Sequence, residues 1–448
     1  MKARQTCSCK RSPNSSWISS ILSVALLSVT TTASAQSTLH RTIDERTAAI
    51  EQEMLGWRRH FHQHPELSNR EVETSKYVAE RLRSFGLDPQ VGVGRHGVVA
   101  TLRGAQPGPV VALRADMDAL PVKEESGLPF ASAAMGEFEG RSVPVMHACG
   151  HDAHMAMLLA TAKILSALQP QLRGTVKFIF QPAEEGAPTN ELPAGADLMV
   201  REGALKSPDV DAVFGVHVFA NMPSGHIGYR GGPLMAASDQ YEIQVRGRQT
   251  HGANPWNGVD PIVVGSQIVL GLQTIVSRQV DITAQPAIIT VGQFESGVRN
   301  NIIPDTARLV GTIRTFDETI RKDVHDRITR TAQRIAESAG ATATVSFGRY
   351  TPVTVNDPAL TRHVLPTLQR VTSNVFEVPL FTTAEDFSFY QRAVPGVFVF
   401  LGITPPDQVG KVDANHSPRF MVDERALVTG VRTLSYLAVD YLSSPLQK

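Results

Sequence analysis

Cysteine is scarce in this 448-residue chain: there are three, and Cys7 and Cys9 fall within the first ten residues. A scaffold stapled by disulfides is therefore excluded. An excess of charge of one sign is also missing. Lys plus Arg and Asp plus Glu each number 43, with no basic stripe and no long charge run, which argues against nucleic acid and anionic membrane surfaces as partners. Only one long hydrophobic run stands out, Trp17 to Val29; serines interrupt it, and it falls short of the roughly 20 apolar residues of a spanning helix. Lys2, Arg4, Lys10 and Arg11 precede it and Ala33-Ser34-Ala35 follows, so residues 1–35 read as a secretory signal peptide cut after Ala35. The expected location is periplasmic or secreted, free of the membrane after processing.

Cleavage there leaves Cys149 as the lone thiol of an exported chain. Without a disulfide partner, such a thiol is a liability unless it is buried or committed to a metal. It stands in "HACGHDAH", residues 147–154, among three histidines and an aspartate.

What remains after residue 35 is long enough for two or three domains at roughly 150 residues each. Thr42 to about Gly86 is helical in pattern, broken at Pro65, with Ser68 or Asn69 available to cap a second helix. Short apolar, β-branched runs at 97–102, 109–118, 174–180 and 211–218 then alternate with longer stretches such as the helix over 154–168. That alternation predicts an α/β domain with a mostly parallel sheet and flanking helices. From about Gly232 the order changes to strand 240–247, helix 258–278, strands 287–296 and 307–316, helix 317–339 and strand 342–348. This β-α-β-β-α-β order is ferredoxin-like. Helices at 358–373 and 423–442 and a strand at 396–402 resume the first pattern, so 232–348 is expected as an insertion in a discontinuous domain made of 36–231 and 349–448.

In open α/β sheets ligands gather beyond the carboxyl ends of the strands. Asp116 and Asp118 follow one predicted strand, Glu184 and Glu185 another, His217 ends a third, His416 follows the last at loop distance, and Cys149-Gly150-His151-Asp152 lies just before a helix. Each alone has an ordinary explanation as a solvated turn, a cap or a core residue. Together they map to one rim, and cysteine, histidine and glutamate are ligands of zinc and similar ions. Five such groups exceed a closed structural site and suit two neighbouring metals used for hydrolysis. One of the adjacent glutamates can then bind metal while the other moves a proton.

The segments "RRHFHQHPELS", "ALRADMDALPVKE", "MHACGHDAHMAMLL", "FIFQPAEEG", "GVHV", "NNIIPDTARLVGTIRTF", "AEDFSFY" and "NHSPRF" occur in collinear order from about Gln52 to Leu442. In these the chain resembles the binuclear metallo-amidohydrolase family of aminoacylases, acetylornithine deacetylases and glutamate carboxypeptidases, most of all its branch of hippurate, N-acyl-amino-acid and auxin-conjugate hydrolases. The resemblance implies that Cys149 bridges two divalent ions, zinc or manganese with cobalt or nickel as options, and that His151, Glu185, His217 and His416 complete the ligand set. It makes Glu184 the general base and acid, and gives Asp118 the task of orienting a metal-binding histidine. His251 would reach toward the scissile carbonyl, often across a dimer interface, and Asn301 and Arg314 would bind substrate. The inserted domain would be a lid and homodimer contact, and the substrate an N-acyl amino acid or short peptide.

His60, His62 and His64 tempt one to draw another metal site, but Pro65 makes a regular ligand-bearing helix doubtful, so a packing and turn role is expected. His147 and His154 receive no role. The "EEGAPTNELPAGA" loop is longer than the family's usual one. Three other readings stay open: a dipeptidase or carboxypeptidase of the same family, an amidase using Cys149 as nucleophile, and a non-catalytic binder of metal or acyl-amino acids.

Overall fold

The computed structural model describes residues 18–446, with side chains described from Ser37 onward. The expected leader, 1–35, lies outside the residues whose side chains are described. The first helix, Ile18–Gln63, ends two residues before Pro65, and the second runs Val72–Ser84. Neither Ser68 nor Asn69 caps that second helix, contrary to the sequence expectation. Asn69 adopts φ 61°, and both side chains are engaged elsewhere, Ser68 Oγ donating to Asp118 and Asn69 Nδ2 to Glu191.

The main sheet has eight strands in the order Gln90–Val93, Gly97–Arg103, Arg173–Gln181, Gln106–Asp116, Ala212–Pro223, Gly396–Thr404, Ile227–Tyr229 and Val375–Glu377. Its central four, from Arg173–Gln181 to Gly396–Thr404, are parallel, while the first two strands and the Gly396–Thr404/Ile227–Tyr229 pair run antiparallel. All nine residues of Gly396–Thr404 are buried, as expected for a strand covered on both faces. One face packs against helices that include His151–Ala167, Pro358–Val371 and Leu427–Ser443; the other packs against Gly195–Arg201 and Ser388–Ala393. The chain is thus an α/β protein with a large, mostly parallel sheet.

A separate four-stranded antiparallel sheet, ordered Ala287–Ser296, Thr306–Thr315, Ala237–Arg246, Thr342–Thr351, carries helices Pro261–Arg278 and Glu318–Ser338. Alternation along Ala237–Arg246 turns Tyr241, Ile243 and Val245 toward those helices, where they meet Ile268, Leu272, Val324 and Ile328 in a core of their own. Asp260 and Asp317 cap the two helices by accepting backbone N–H bonds, which fixes where each begins.

Candidate metal centre

The carboxyl rim of the parallel strands brings distant segments together. Gly150 sits between Cys149 and the first residue of helix His151–Ala167, with φ 93°. A Cβ there would lie 2.3 Å from Val218 Cγ2, so only glycine allows the turn that presents Cys149 and His151 to one spot. Cys149 Sγ lies 3.5 Å from His217 Nε2 and 3.2 Å from His416 Nε2, and His416 Nε2 is 3.2 Å from Glu185 Oε1. His151 Nε2 is 3.8 Å from Glu185 Oε1 and 3.9 Å from Glu184 Oε2.

The far nitrogen of each buried imidazole fixes which lone pair faces inward. His151 Nδ1–H donates to the Asp118 carbonyl at 2.7 Å, and His217 Nδ1–H to the Val218 carbonyl at 2.7 Å. With Nδ1 committed in both, Nε2 is the atom that would face a metal, whose charge would take the place of a proton there. His151 Nε2 and Glu185 Oε1 are buried without a hydrogen-bond partner, and such atoms are costly unless something else satisfies them. His154 is different: its Nδ1–H donates to Asp116 at 2.6 Å and its Nε2 accepts the Val218 N–H at 2.8 Å, so neither nitrogen is spare. It braces the rim.

The Asp118 side chain does more than face His151, from whose Nδ1 its Oδ1 is 3.4 Å. Oδ1 accepts the Glu184 N–H and Oδ2 the Glu185 N–H, each at 3.0 Å, so one carboxylate holds the whole glutamate turn. Asn415 does the same for the last loop, donating to the carbonyls of Cys149 and Val218 at 3.2 Å and accepting from Ala220 N.

Behind the glutamates, the buried Arg114 guanidinium donates to Asp116, Gln181, Glu385 and Asp386. Burial, with Glu385 and Glu185 nearby, pushes the Glu184 carboxyl well above its ordinary range. Burial, with Glu185 and Glu184 nearby, pushes the Cys149 thiol well up. Burial opposes protonation of His151, yet Asp116, Asp118 and Glu185 outweigh it and raise His151 to about 10. A buried thiol, two buried imidazoles, the more exposed His416 and a surplus of carboxylate fit divalent cations, which would supply the positive charge these groups call for. The same atoms form metal-capable groupings, Cys149–His151–Glu185 among them.

Sequence reasoning placed Asp116 on the rim without giving it a role, and passed over Arg114, Gln181, Glu385, Asp386 and Asn415. One signal was present: an arginine within the otherwise apolar "VVALRADMD" needs a buried counter-charge. The tempting histidines are structural. His60 stacks on Tyr77 with ring centroids 4.0 Å apart, and His62 bridges Asp152 and Glu124 at 2.9 and 3.0 Å.

A cleft of about 640 Å³ opens from the cluster toward the antiparallel sheet, with Glu184, Glu185 and His416 on one wall and Arg314, Gln240 and Gln293 on the other. Arg314 Nη1 donates to Ser238 Oγ at 2.7 Å and to the Ile313 carbonyl. His251 and Asn301 do not line this cleft. They are exposed neighbours on a small ribbon, Thr250–His251 against Ile302–Ile303, where Gly252 N–H donates to the Asn301 carbonyl.

Residues 112–440 match peptidase family M20/M25/M40. The chain is 42% identical to a thermostable carboxypeptidase of Saccharolobus solfataricus over 394 residues, 88% of this chain and 96% of that one. It is 43% identical to an N-acyl-L-amino acid amidohydrolase of Geobacillus stearothermophilus over 326 residues, 72% and 83% of the two chains. A dinuclear metal-binding peptidase of the M20 family from Bacillus subtilis superimposes with a TM-score of 0.74 at 34% identity, covering 88% of this chain and 99% of that one. With the fold, the donor cluster and these relatives in agreement, the chain belongs to peptidase family M20/M25/M40 and is a metallo-hydrolase of that family.

Proposed function

We propose that the protein is an exported amidohydrolase that cleaves the amide bond of N-acyl amino acids, with Cys149, His151, Glu185, His217 and His416 holding two divalent ions and Glu184 moving the proton. The observation that carries this reading is the meeting of those five donors, His151 with its buried Nε2 lacking a hydrogen-bond partner, beside a sixth group that faces the cleft. When bound, the cations supply Lewis acidity, polarising the scissile carbonyl and acidifying a water molecule. Glu184 takes the proton from that water as it attacks and returns it to the departing amine nitrogen, a role favoured by a carboxyl whose pKa burial raises. Arg314 offers a guanidinium for the amino-acid carboxylate across the cleft.

The Geobacillus relative's name supports acyl-amino acids as substrates, and the Saccharolobus relative's name supports peptide cleavage as the second reading. A nucleophilic Cys149 is disfavoured, because its burial among carboxylates pushes the thiol up, whereas a nucleophile needs it lowered. The amino-terminal apolar run and its Ala-Ser-Ala site are the basis for export, tested by sequencing the mature amino terminus. Residues 232–348 would form a lid and dimer contact on a main domain made of 36–231 and 349–448. Trp256, Val263, Leu270 and Val298, each more than half exposed, give that unit an apolar outer face.

The test begins with metal analysis of the purified protein and an assay panel of hippurate, N-acetyl-amino acids, indoleacetyl-amino acids and dipeptides. Chelation should abolish turnover, and repletion with zinc, manganese, cobalt or nickel should identify the working ion. Glu184→Gln should keep two metals per chain and lose roughly 10²–10⁴ in turnover; a variant that keeps wild-type activity refutes the assignment.

A further inference from the structure

We infer that Arg349 holds a second carboxylate of the substrate, where the metal-centre cleft meets an adjoining pocket; the inference rests on the amidohydrolase reading above. Arg349 lies at an irregularity in strand Thr342–Thr351: Tyr350 pairs with Asp239 and Phe347 with Tyr241, so Gly348 and Arg349 together stand opposite Gln240 alone. Two residues against one make a bulge, which bends the strand and re-aims a side chain, a device common beside active sites.

The re-aimed side chain crosses to the main unit. A Cβ built on Gly186 would lie 1.7 Å from Arg349 Nη1, so the guanidinium rests on the backbone of the residue that follows Glu185. There Arg349 borders both the 640 Å³ cleft and a second pocket of about 800 Å³. Leu192 and Pro193, from the loop that follows Glu185, wall that pocket with Val200 and Phe389.

Arg114 and Arg201 are already paired with carboxylates, Arg114 with Asp116, Glu385 and Asp386 and Arg201 with Asp197, whereas Arg314 bonds only neutral groups, Ser238 and a carbonyl. Arg349 has no hydrogen bond or ion pair from its side chain among the described residues, although it is only partly exposed. Asp386, which borders the same space, is already held by Arg114, Gln181 and the Ala196 N–H. A half-buried guanidinium with its donors free is a fork for a carboxylate arriving from outside. The α-carboxylate is assigned to Arg314, so the ligand of Arg349 is a further carboxylate. It belongs either to a dicarboxylic acyl group or to an acidic amino-acid side chain, and the second pocket takes the aliphatic part beside it.

The experiment compares wild type, Arg349→Gln and Arg349→Lys on two substrate pairs, each variant first matched to wild type in metal content and melting temperature. N-acetylglycine against N-succinylglycine probes the acyl side, and N-acetylglutamine against N-acetylglutamate the amino side. In one pair, Arg349→Gln should raise KM for the carboxylated member by about tenfold or more, with the neutral member unchanged and partial rescue by lysine. Equal effects on both members of both pairs, or no effect, overturn the inference. Calorimetric titration of the metal-loaded protein with glutarate supplies a readout independent of turnover. Arg349-dependent binding without hydrolysis of any substrate would leave the anion site standing and remove the amidohydrolase reading. Hydrolysis with glutarate binding and charge preference indifferent to Arg349 would do the reverse.

Discussion

At the scale of single residues, the site divides into groups legible in the sequence and groups that are not. Cys149, His151, Glu184, Glu185, His217 and His416 could be found because polar, metal-capable side chains are unusual at the ends of apolar strands. Arg114, Glu385 and Asp386 could not, since a charged residue in a strand or loop ordinarily points to water, and nothing in the local pattern says that the charges at 114–116 and those at 385–386 meet in the interior. Asp118 was expected behind a histidine, yet its two oxygens hold the backbone of Glu184 and Glu185 and its carbonyl receives the histidine. Asp118→Asn replaces one acceptor by a donor facing an N–H. Metal affinity and turnover should therefore fall together, affinity by roughly 10–100-fold in a chelator-competition titration. Unchanged metal affinity would show that the turn holds itself.

At the scale of elements, the order of strands and helices followed from periodicity, and the ends did not. The helix expected from His154 begins at His151, because Gly150 turns the chain earlier than the apolar pattern does. The strand expected over 342–348 continues to Thr351 through the bulge that carries Arg349, and bulges leave little trace in a period-two pattern. The first helix is fastened to His151–Ala167 by a buried knot in which Arg58 and His62 both bond Asp152. Burial works against a charged His62, but its bonds to Asp152 and Glu124 prevail and raise it to about 9. Its folded pKa exceeds the ordinary 6.5, so its contribution, on the order of 3 kcal/mol, is complete below pH 6.5 and lost as the pH rises through about 9. Urea unfolding between pH 6 and 10 should show wild type losing its advantage over His62→Gln as the pH climbs. A gap that stays constant would assign the loss to packing instead.

At the scale of the whole molecule, the exposed apolar residues of the antiparallel unit and the placement of His251 and Asn301 outside the cleft would share one explanation in the proposed dimer, in which one chain's ribbon would complete its partner's site. Light scattering should give twice the chain mass, and Leu270→Glu, changing a residue that is 70% exposed, should reduce it to one. Mixing the separately inactive His251→Ala and Glu184→Gln proteins should then restore turnover; persistent inactivity of the mixture would confine His251 to its own chain. The donor atoms have a further consequence. Cys149, His151, Glu185 and His217 precede the antiparallel unit in sequence and His416 follows it, so an ion held by the proposed set would add a stitch between the segments on either side of that unit. A protease cut within 232–348 should leave the two fragments travelling as one body, held by the shared sheet and core, and a chelator should lower the urea concentration at which they part.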